Sequence, residues 1–394
     1  MNTRIEPRPA RTTLLMSCSL HFLHDGFADL LYALFPVWAG EFSLSFAAVG
    51  LLRTAYSGAL AVFQIPAGFL AERWGEPRVL MAGTALTALG FLCLGTAGGF
   101  GTLLLFLIVG GLGAGTQHPL TSSLVSRAYE EEHRRAALGT YNFSGDLGKT
   151  AWPPCVALIA TFAGWRWATR GVGVVALIAA ATIPFLLRRL SSPAEERVAA
   201  EAARAGLNWG IQDAQGFRFL SAIHSIDNGS RSAFMTFLPF LLLGKGAGMD
   251  LMGLALGLTF AGGAVGKFVC GVLAERLGII RTVIVTEVAT GLGVLCLLAL
   301  PYQAALVLLP ILGVALNGTS SVLYGTVAEL VVPERRSRSY GLFYTIGIGS
   351  GAIAPPAYGL LSDWAGVPVT LSVLAGVVFV TIPLAIWLRK SIKS

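Results

Sequence analysis

Polar and titratable side chains recur inside the longest apolar stretches of this 394-residue chain. In the first stretch, His21, His24 and Asp25 are spaced so that one face of a helix carries all three. A later stretch repeats this arrangement with four polar residues, which are His224, Asp227, Asn228 and Arg231. Because burying such groups without partners is costly, we expect both faces to bind a polar solute or to exchange protons. The alternative is a structural polar network between helices.

Other apolar stretches carry polar residues of the same kind. Gln117 and His118 precede Pro119, and the proline predicts an opened helix with free carbonyl groups beside the imidazole. Asn317 and Tyr324 are seven residues apart, so they lie on one helix face and can line the same path. The alternatives are a structural histidine at a helix kink and ordinary aromatic packing.

Two ion pairs are predicted within these stretches. Asn142, Asp146 and Lys149 share a helix face, and Asp146 and Lys149 are three residues apart. Asp227 and Arg231 are four residues apart and can pair in the same way. Such a pair is either a permanent structural bridge or one that opens when a solute binds.

These residue types suit two kinds of chemistry. A histidine titrates near neutral pH, and burial can bring a carboxyl group into the same range, so either group can exchange a proton. The candidates for this exchange are His24, Asp25, Asp146 and Asp227. Lys149, Arg231 and protonated histidines can supply positive charge for an anionic solute.

A divalent transition metal is the alternative ligand for the same residues. Imidazole and carboxylate groups together bind nickel, cobalt, iron or zinc. The residues that can take part are His21, His24, Asp25, His118, His224 and Asp227. The five cysteines lie in apolar stretches without the spacing of metal ligands, so we interpret them as small buried hydrophobic residues.

The elements that position these residues are predicted to be membrane-spanning helices. Hydrophobic residues make up 55% of the chain, charged residues make up 12%, and the mean hydropathy is +0.71. Soluble proteins contain about a quarter charged residues. Apolar runs of roughly 20 residues are long enough to cross a bilayer, where backbone groups must pair within a helix. Twelve spans are predicted, at roughly 13–38, 46–70, 79–97, 102–126, 136–162, 167–188, 217–243, 250–274, 281–300, 304–330, 338–362 and 367–388.

The second half of the chain repeats the first. Adding 203 to the number of His21 gives His224, and the same offset relates Pro36 to Pro239. The repeat predicts a six-helix bundle at 1–190, a cytoplasmic linker at 191–216 and a second six-helix bundle at 217–394. Two repeated halves that tilt about a central site can expose that site to either side of a membrane in turn.

The distribution of basic residues predicts the orientation. Most of the 28 Lys and Arg fall near the two termini, in the linker and in alternate short loops. Basic loops remain in the cytoplasm, so both termini are expected there. The net charge of +7 therefore reflects basic residues in the cytoplasmic loops, and a nucleic-acid partner is not expected.

The loop after the second span resembles the signature loop of the major facilitator superfamily. It has the pattern Gly-x-x-x-Glu-Arg-x-Gly-x-x-Arg at Gly68, Glu72, Arg73, Gly75 and Arg78. That family carries Asp at the position of Glu72. A second copy follows the eighth span, with Gly271, Glu275, Arg276 and Arg281. The resemblance implies that these residues help to latch a cytoplasmic gate, and the alternative is loop charge that only sets orientation.

Two segments resemble the fosmidomycin-resistance-like efflux proteins of that superfamily. They are 21–36, which contains Asp25-Gly26, and His118-Pro119 in the fourth span. The resemblance implies an all-α integral membrane protein of the bacterial inner membrane, with twelve transmembrane helices in two pseudo-symmetric halves. It also implies efflux of a small polar or anionic organic solute by alternating access. The driving force would be a proton gradient, and no cofactor would be needed. A single chain would be sufficient for transport. The antiporter signature of span five is matched in part, by Gly145, Gly148 and Pro153-Pro154.

Other functional classes are disfavoured by the sequence. An ATP-driven pump would carry a Gly-x-x-x-x-Gly-Lys-Ser/Thr loop, which does not occur. A membrane enzyme would need a nucleophile, a base and an orienting group in one motif, and a sensor would need a soluble effector segment. Glu287 falls on the ninth span, which is peripheral in the superfamily's fold, so we do not expect it to take part in the site.

Overall fold

The computed structural model describes residues 8–187, 209–332 and 336–392, and these ranges are almost entirely helical. The helices of the first half are α1 Arg8–Asp29, α2 Leu31–Glu41, α3 Phe46–Trp74, α4 Glu76–Leu94, α5 Phe100–Ala114, α6 Gln117–Ala128, α7 Glu131–Ala163 and α8 Trp165–Leu187. Those of the second half are α9 Ala214–Gly244, α10 Met249–Leu277, α11 Ile279–Ala299, α12 Tyr302–Val327, α13 Arg336–Ala365, α14 Val367–Phe379 and α15 Thr381–Leu388. The all-α prediction is confirmed.

These helices occupy twelve regions of sequence, and three of the regions are interrupted. The interruptions lie at Leu30, at 115–116 and at Val380. A proline cannot donate to the carbonyl four residues before it and its ring clashes there. Pro119 therefore explains the break after α5, and Pro383 explains the break after α14. The opened helix predicted beside His118 is confirmed.

Eight described helical segments are long and apolar enough to cross a membrane. The four predicted spans outside that set correspond to α1 with α2, α7, α9 and α13. Three of these four carry the polar residues singled out from the sequence, which lower their mean hydropathy. The polar residues that could act in transport are therefore also the reason why these helices fall below the hydropathy expected of a membrane span.

The contacts divide the chain into two compact units that do not coincide with its two halves. Unit 1 takes in the chain up to Leu30, Ala55–Trp152 and the segment that starts at Ile159. Unit 2 takes in Leu31–Thr54, Pro153–Leu158 and the chain from Leu207. The predicted domain boundaries remain a prediction, and residues 191–208 of the predicted linker lie outside the described residues.

Within unit 2, the start of α3 is held by a side chain from the second half of the sequence. One carboxylate oxygen of Asp363, on α13, accepts the backbone N–H of Phe46 at 2.6 Å, and the other accepts that of Ala47 at 3.0 Å. The first N–H groups of a helix have no partner in the helix and carry partial positive charge. Asp363 therefore caps α3.

Helix α9 begins three residues earlier than predicted because Asp213 caps it. Its carboxylate accepts the backbone N–H groups of Gln215 at 3.0 Å and Gly216 at 2.9 Å. These hydrogen bonds favour the charged form and lower the pKa of Asp213. The segment 214–216, predicted to end the linker, is therefore the first turn of α9.

Helices α10 and α12 approach closely because glycines line their contact. A Cβ atom on Gly313 would lie 2.1 Å from the carbonyl oxygen of Thr259, and one on Gly262 would lie 1.9 Å from that of Pro310. Small residues at such positions allow backbones to pack directly in a membrane. A Cβ atom on Gly325, on the same helix as Gly313, would meet no neighbouring atom within 4 Å.

We predict that Gly313→Ala destabilises the protein and that Gly325→Ala does not. The first methyl group must push α12 away from α10, at a cost of about 1–3 kcal/mol for overpacking. The second enters open space. Thermal unfolding of the two purified variants in one detergent measures the difference, and equal melting temperatures would contradict the packing described for α10 and α12.

Candidate functional site

The carboxylate of Asp25 is the centre of a charged cluster in unit 1. Its Oδ2 atom lies 3.0 Å from Nζ of Lys149 and 3.2 Å from Nε2 of His21. Its Oδ1 atom lies 3.3 Å from Nε2 of His118. The Asp25 side chain is 10% exposed, whereas those of Lys149 and His118 are 29% and 35% exposed. The two basic groups are thus the accessible side of the cluster.

Glycines on α7 allow that helix to reach α1 and so create the cluster. A Cβ on Gly145 would lie 2.7 Å from Nε2 of His21 and 2.8 Å from Oδ2 of Asp25. A Cβ on Gly148 would lie 2.0 Å from the backbone oxygen of Phe22. The two glycines, predicted as part of an antiporter signature, therefore have a packing role that places Lys149 against Asp25.

A hydrogen bond to the backbone of α7 orients the ring of His21. Its Nδ1 is 2.8 Å from the backbone oxygen of Tyr141, which can only accept, so Nδ1 carries a hydrogen. Nε2 faces a carboxylate oxygen at 3.2 Å, and two lone pairs would repel each other at that distance. A hydrogen on Nε2 would let the ring donate to Oδ2 of Asp25 as well. The ring also stacks on Tyr141, with centroids 4.1 Å apart.

Lys149 is closer to Asp25 than to the partner predicted for it. Its Nζ is 4.0 Å from Oδ1 of Asp146, against 3.0 Å from Asp25. Asp146 is buried and adds a second negative charge beside the ammonium group. Asn142, predicted on the same face, is exposed and is not brought into the cluster.

His24 and Gln117 are buried, and their hydrogen bonds are made with side chains other than Asp25. Nε2 of His24 lies 3.2 Å from the hydroxyl of Thr84 on α4, so His24 does not share the face of His21 and Asp25. Gln117 donates to the hydroxyls of Tyr141 and Thr121, each at 3.1 Å. Nδ1 of His24 and Oε1 of Gln117 are buried without a hydrogen-bond partner among the described residues, so the role of both side chains remains a prediction.

In unit 2, the predicted residues of α9 form a different arrangement. The ring of His224 stacks on Phe343, with centroids 4.2 Å apart, and its Nε2 is 3.4 Å from the hydroxyl of Tyr324. Arg231 donates to the side-chain oxygen of Asn228, and Asn228 donates to the backbone oxygen of Gly347. His224 is therefore held among aromatic rings, without a carboxylate on Nε2.

The predicted pair of Asp227 and Arg231 does not form. No nitrogen of Arg231 lies within salt-bridge distance of a carboxylate in the described residues, because the guanidinium group is turned to Asn228. Asp227 is 5% exposed, and its Oδ2 has no hydrogen-bond partner in the described part of the chain. Asn317 donates weakly to the backbone of Gly313 at 3.4 Å and packs against α10 rather than lining a path with Tyr324.

Fewer residues come together at the alternative metal site than the sequence predicted. Among the described residues, His21, Asp25 and His118 have ligand atoms within 4.8 Å of one another. His24, His224 and Asp227 do not join them. The ammonium group of Lys149 also lies against Asp25, where its positive charge would oppose a bound cation.

The predicted gate residues lie at the ends and starts of helices. Gly68, Glu72 and Arg73 are on the last turns of α3, and Arg78 is on the first turn of α4. Gly271, Glu275 and Arg276 hold the matching places on α10, with Arg281 on α11. The six charged side chains are exposed and make no ion pair with a described residue, so their gate role remains a prediction.

Sequence reasoning missed three residues that the structure places at important contacts. Tyr141 stacks on His21, Glu76 pairs with Arg127, and Glu287 is buried on α11. Tyr141 could have been found, since it precedes Gly145 and Lys149 at intervals of four on one helix face. Glu76 follows the signature glycine of the loop, and its pairing with a basic residue of α6 had no sequence signal.

Comparisons with known proteins agree with this fold. A sequence profile of the Major Facilitator Superfamily matches residues 18–223 and 219–393. The fosmidomycin resistance protein of Escherichia coli (strain K12) is 26% identical over 382 residues, which cover 93% of this chain and 91% of that protein. The probable sulfoacetate transporter SauU of Cupriavidus necator is 26% identical over 361 residues, or 84% of this chain and 82% of the relative.

A solved structure shows the same fold at low sequence identity. It is a bacterial homolog to the human lysosomal transporter Spinster, in an inward-facing and occupied conformation. It matches with a TM-score of 0.80 and 16% identity, and covers 98% of this chain and 99% of that chain. The predicted fold class and resemblance are confirmed, and the relatives are transporters rather than enzymes. This chain belongs to the Major Facilitator Superfamily and is a multi-pass membrane transporter of small molecules.

Proposed function

We propose that this transporter moves small anionic organic solutes, by alternating access, with protons as the coupling ion. The observation that carries the proposal is the contact between Asp25 and three basic groups, of Lys149, His21 and His118. Two of those groups are the exposed side of a buried cluster, so an incoming anion meets them first. Charge-assisted hydrogen bonds to Lys and His suit carboxylate, sulfonate and phosphonate groups.

Asp25 would link the anion to a proton. While ionised, Asp25 pairs with the ammonium group of Lys149 and lies against the ring of His21. Once protonated, it no longer attracts these cations, and they are free to hold an anion. Anion and proton therefore bind together in this scheme. The antiport expected from the resemblance requires the opposite, that each expels the other.

The remaining parts of the proposal follow from the sequence. We place the chain in a bacterial inner membrane, with both termini in the cytoplasm, as the basic loops predict. It would act as a monomer without a cofactor, driven by the proton gradient. In this scheme an inward proton gradient would drive import of the anion together with its proton, whereas the export implied by the resemblance would need antiport of the two.

A divalent metal is a second candidate solute, because His21, Asp25 and His118 bring three ligand atoms together. Metal binding would have to displace Lys149 from Asp25. Zinc and nickel can be compared with sulfoacetate and fosmidomycin in a thermal-shift measurement of the purified protein. Stabilisation by metals alone would favour this second candidate over the anion.

We predict that Asp25→Asn abolishes accumulation driven by a pH gradient but leaves exchange of solute at equal pH. Asparagine keeps the size of the side chain and cannot take up a proton. Uptake of sulfoacetate into proteoliposomes, with and without a pH gradient, measures both activities. Asp250→Asn, an exposed change at the start of α10, is the matched control. Full gradient-driven accumulation by Asp25→Asn would remove its role as the proton acceptor.

We predict that Lys149→Met weakens binding of sulfoacetate by about tenfold or more, because a hydrogen bond from a charged donor contributes roughly 1.5–3 kcal/mol. Binding of the neutral analogue 2-(methylsulfonyl)acetamide should change little. Isothermal calorimetry on purified protein gives both constants, and exposed Lys390→Met is the control. Equal losses for both probes would indicate that Lys149 is a structural bridge.

A further inference from the structure

A groove lies in unit 2 between the first turns of α9 and the end of α15. It has a volume of about 380 Å³ and is lined by Gln215, Phe219, Trp387, Lys390 and Ser391. We call it the α9–α15 groove. Binding sites for small molecules have volumes of roughly 300–1,000 Å³, so this groove can hold a polar group of several atoms.

A glycine allows the end of α15 to reach α9 and so forms the groove. A Cβ on Gly216 would lie 2.6 Å from Cβ of Ser391 and 2.8 Å from its hydroxyl oxygen. The hydroxyl of Ser391 donates to the carboxylate of Asp213, which caps α9. The rings of Phe219 and Trp387 also meet across the two helices, with centroids 5.7 Å apart. The walls of the groove are therefore fixed by helix packing.

The groove lies where an apolar helical segment gives way to charged residues. Residues 367–388 are long and apolar enough to cross a membrane, and Arg389 and Lys390 follow them directly. Trp387 is 51% exposed. Tryptophan and basic residues are typical of the level of the lipid headgroups. In the orientation that the basic loops predict, the groove is at the headgroup level of the cytoplasmic leaflet.

The charges around the groove are mainly positive. The charged residues in 213–219 and 387–391 are Arg218, Arg389 and Lys390, which are exposed, and Asp213. The carboxylate of Asp213 is held by backbone N–H groups at the start of α9. Lys390 lines the groove, and its ammonium group makes no ion pair with a described residue. An anion in the groove therefore meets a free positive charge.

The first half of the chain has an equivalent groove without this charge. It lies between α1 and α8 and has a volume of about 320 Å³. The repeat offset of 203 relates its Thr12 to Gln215 and its Met16 to Phe219. The described residues that line it are aliphatic or carry hydroxyl groups, and none of them is charged or aromatic. Equivalent helices thus form a groove in each half, and the second groove has gained an ammonium group and an indole ring.

We infer that the α9–α15 groove binds an anionic phospholipid of the cytoplasmic leaflet. The ammonium group of Lys390 and the side-chain amide of Gln215 hold the phosphate group through hydrogen bonds. The rings of Phe219 and Trp387 pack against the glycerol and the start of an acyl chain. A phospholipid suits the groove better than a free phosphate, because these rings offer a second, apolar contact. The inference does not depend on which solute is transported.

Native mass spectrometry of the full-length protein in detergent, titrated with palmitoyl-oleoyl phosphatidylglycerol, tests the site. We expect one tightly bound lipid, whose Kd rises about fivefold or more in Lys390→Gln, as for the loss of one basic contact to an anionic lipid. Arg11→Gln is the control, because it removes an exposed cation beside Thr12 of the uncharged groove. It should leave the Kd unchanged. Phosphatidylcholine, which has no net charge, should bind more weakly.

Three results of this titration would overturn the inference. An equal rise of Kd in Arg11→Gln would show that lipid binds to surface charge in general. Equal affinity of the wild-type protein for phosphatidylcholine would show that the negative charge is not recognised. Displacement of the lipid by an equal concentration of glycerol 1-phosphate would show that the site takes a free phosphate compound.

The position of the lipid is tested with brominated acyl chains, which quench nearby tryptophan fluorescence. The protein is kept in detergent, so that only bound lipid carries bromine. We expect Trp387→Phe to remove a larger part of the quenching than Trp167→Phe, since Trp167 is an exposed tryptophan on α8. Equal losses in the two variants would place the lipid elsewhere and contradict the inference.

Discussion

The ion pair between Asp25 and Lys149 is the interaction on which the rest of the site depends. It draws α7 against α1, and glycines at 145 and 148 make that distance possible. Through Asp25 it also sets the positions of His21 and His118. Removing either charge leaves the other buried beside fewer partners, which is costly in the membrane. A solute that competes for Lys149 therefore acts on every group of the cluster at once.

The two repeated halves place histidines at equivalent positions but surround them with different side chains. His21 and His224 occupy the same place in each half, and each has a glycine of another helix against its Nε2, Gly145 or Gly347. In the first half this ring faces a carboxylate, and in the second it stacks on Phe343. The position of Asp25 is taken by Asn228, which hydrogen bonds Arg231. The acids of the second half lie instead at Asp227 and Glu287.

The sequence could predict the helices but not the partners within the site. Apolar runs and their repeat indicated twelve helical regions, because a run of about 20 mainly apolar residues is long enough to cross a bilayer as a helix. The spacing predicted that His24 shares a helix face with His21 and Asp25, but the side chain of His24 contacts Thr84 instead. Spacing likewise paired Lys149 with Asp146, while the closer acid comes from another helix. Glu287 was set aside because its span is peripheral, and only the packed structure shows that its side chain turns inward.

The most direct test of the account is the sign of proton movement when an anion binds. Sulfoacetate is added to purified protein in a weakly buffered detergent solution, and the pH change is recorded against Asp25→Asn. We expect proton uptake by the wild-type protein, because the anion takes Lys149 and the histidines away from Asp25. The variant should take up less. Proton release on binding would contradict the account and would indicate that solute and proton exclude each other, as in an antiporter.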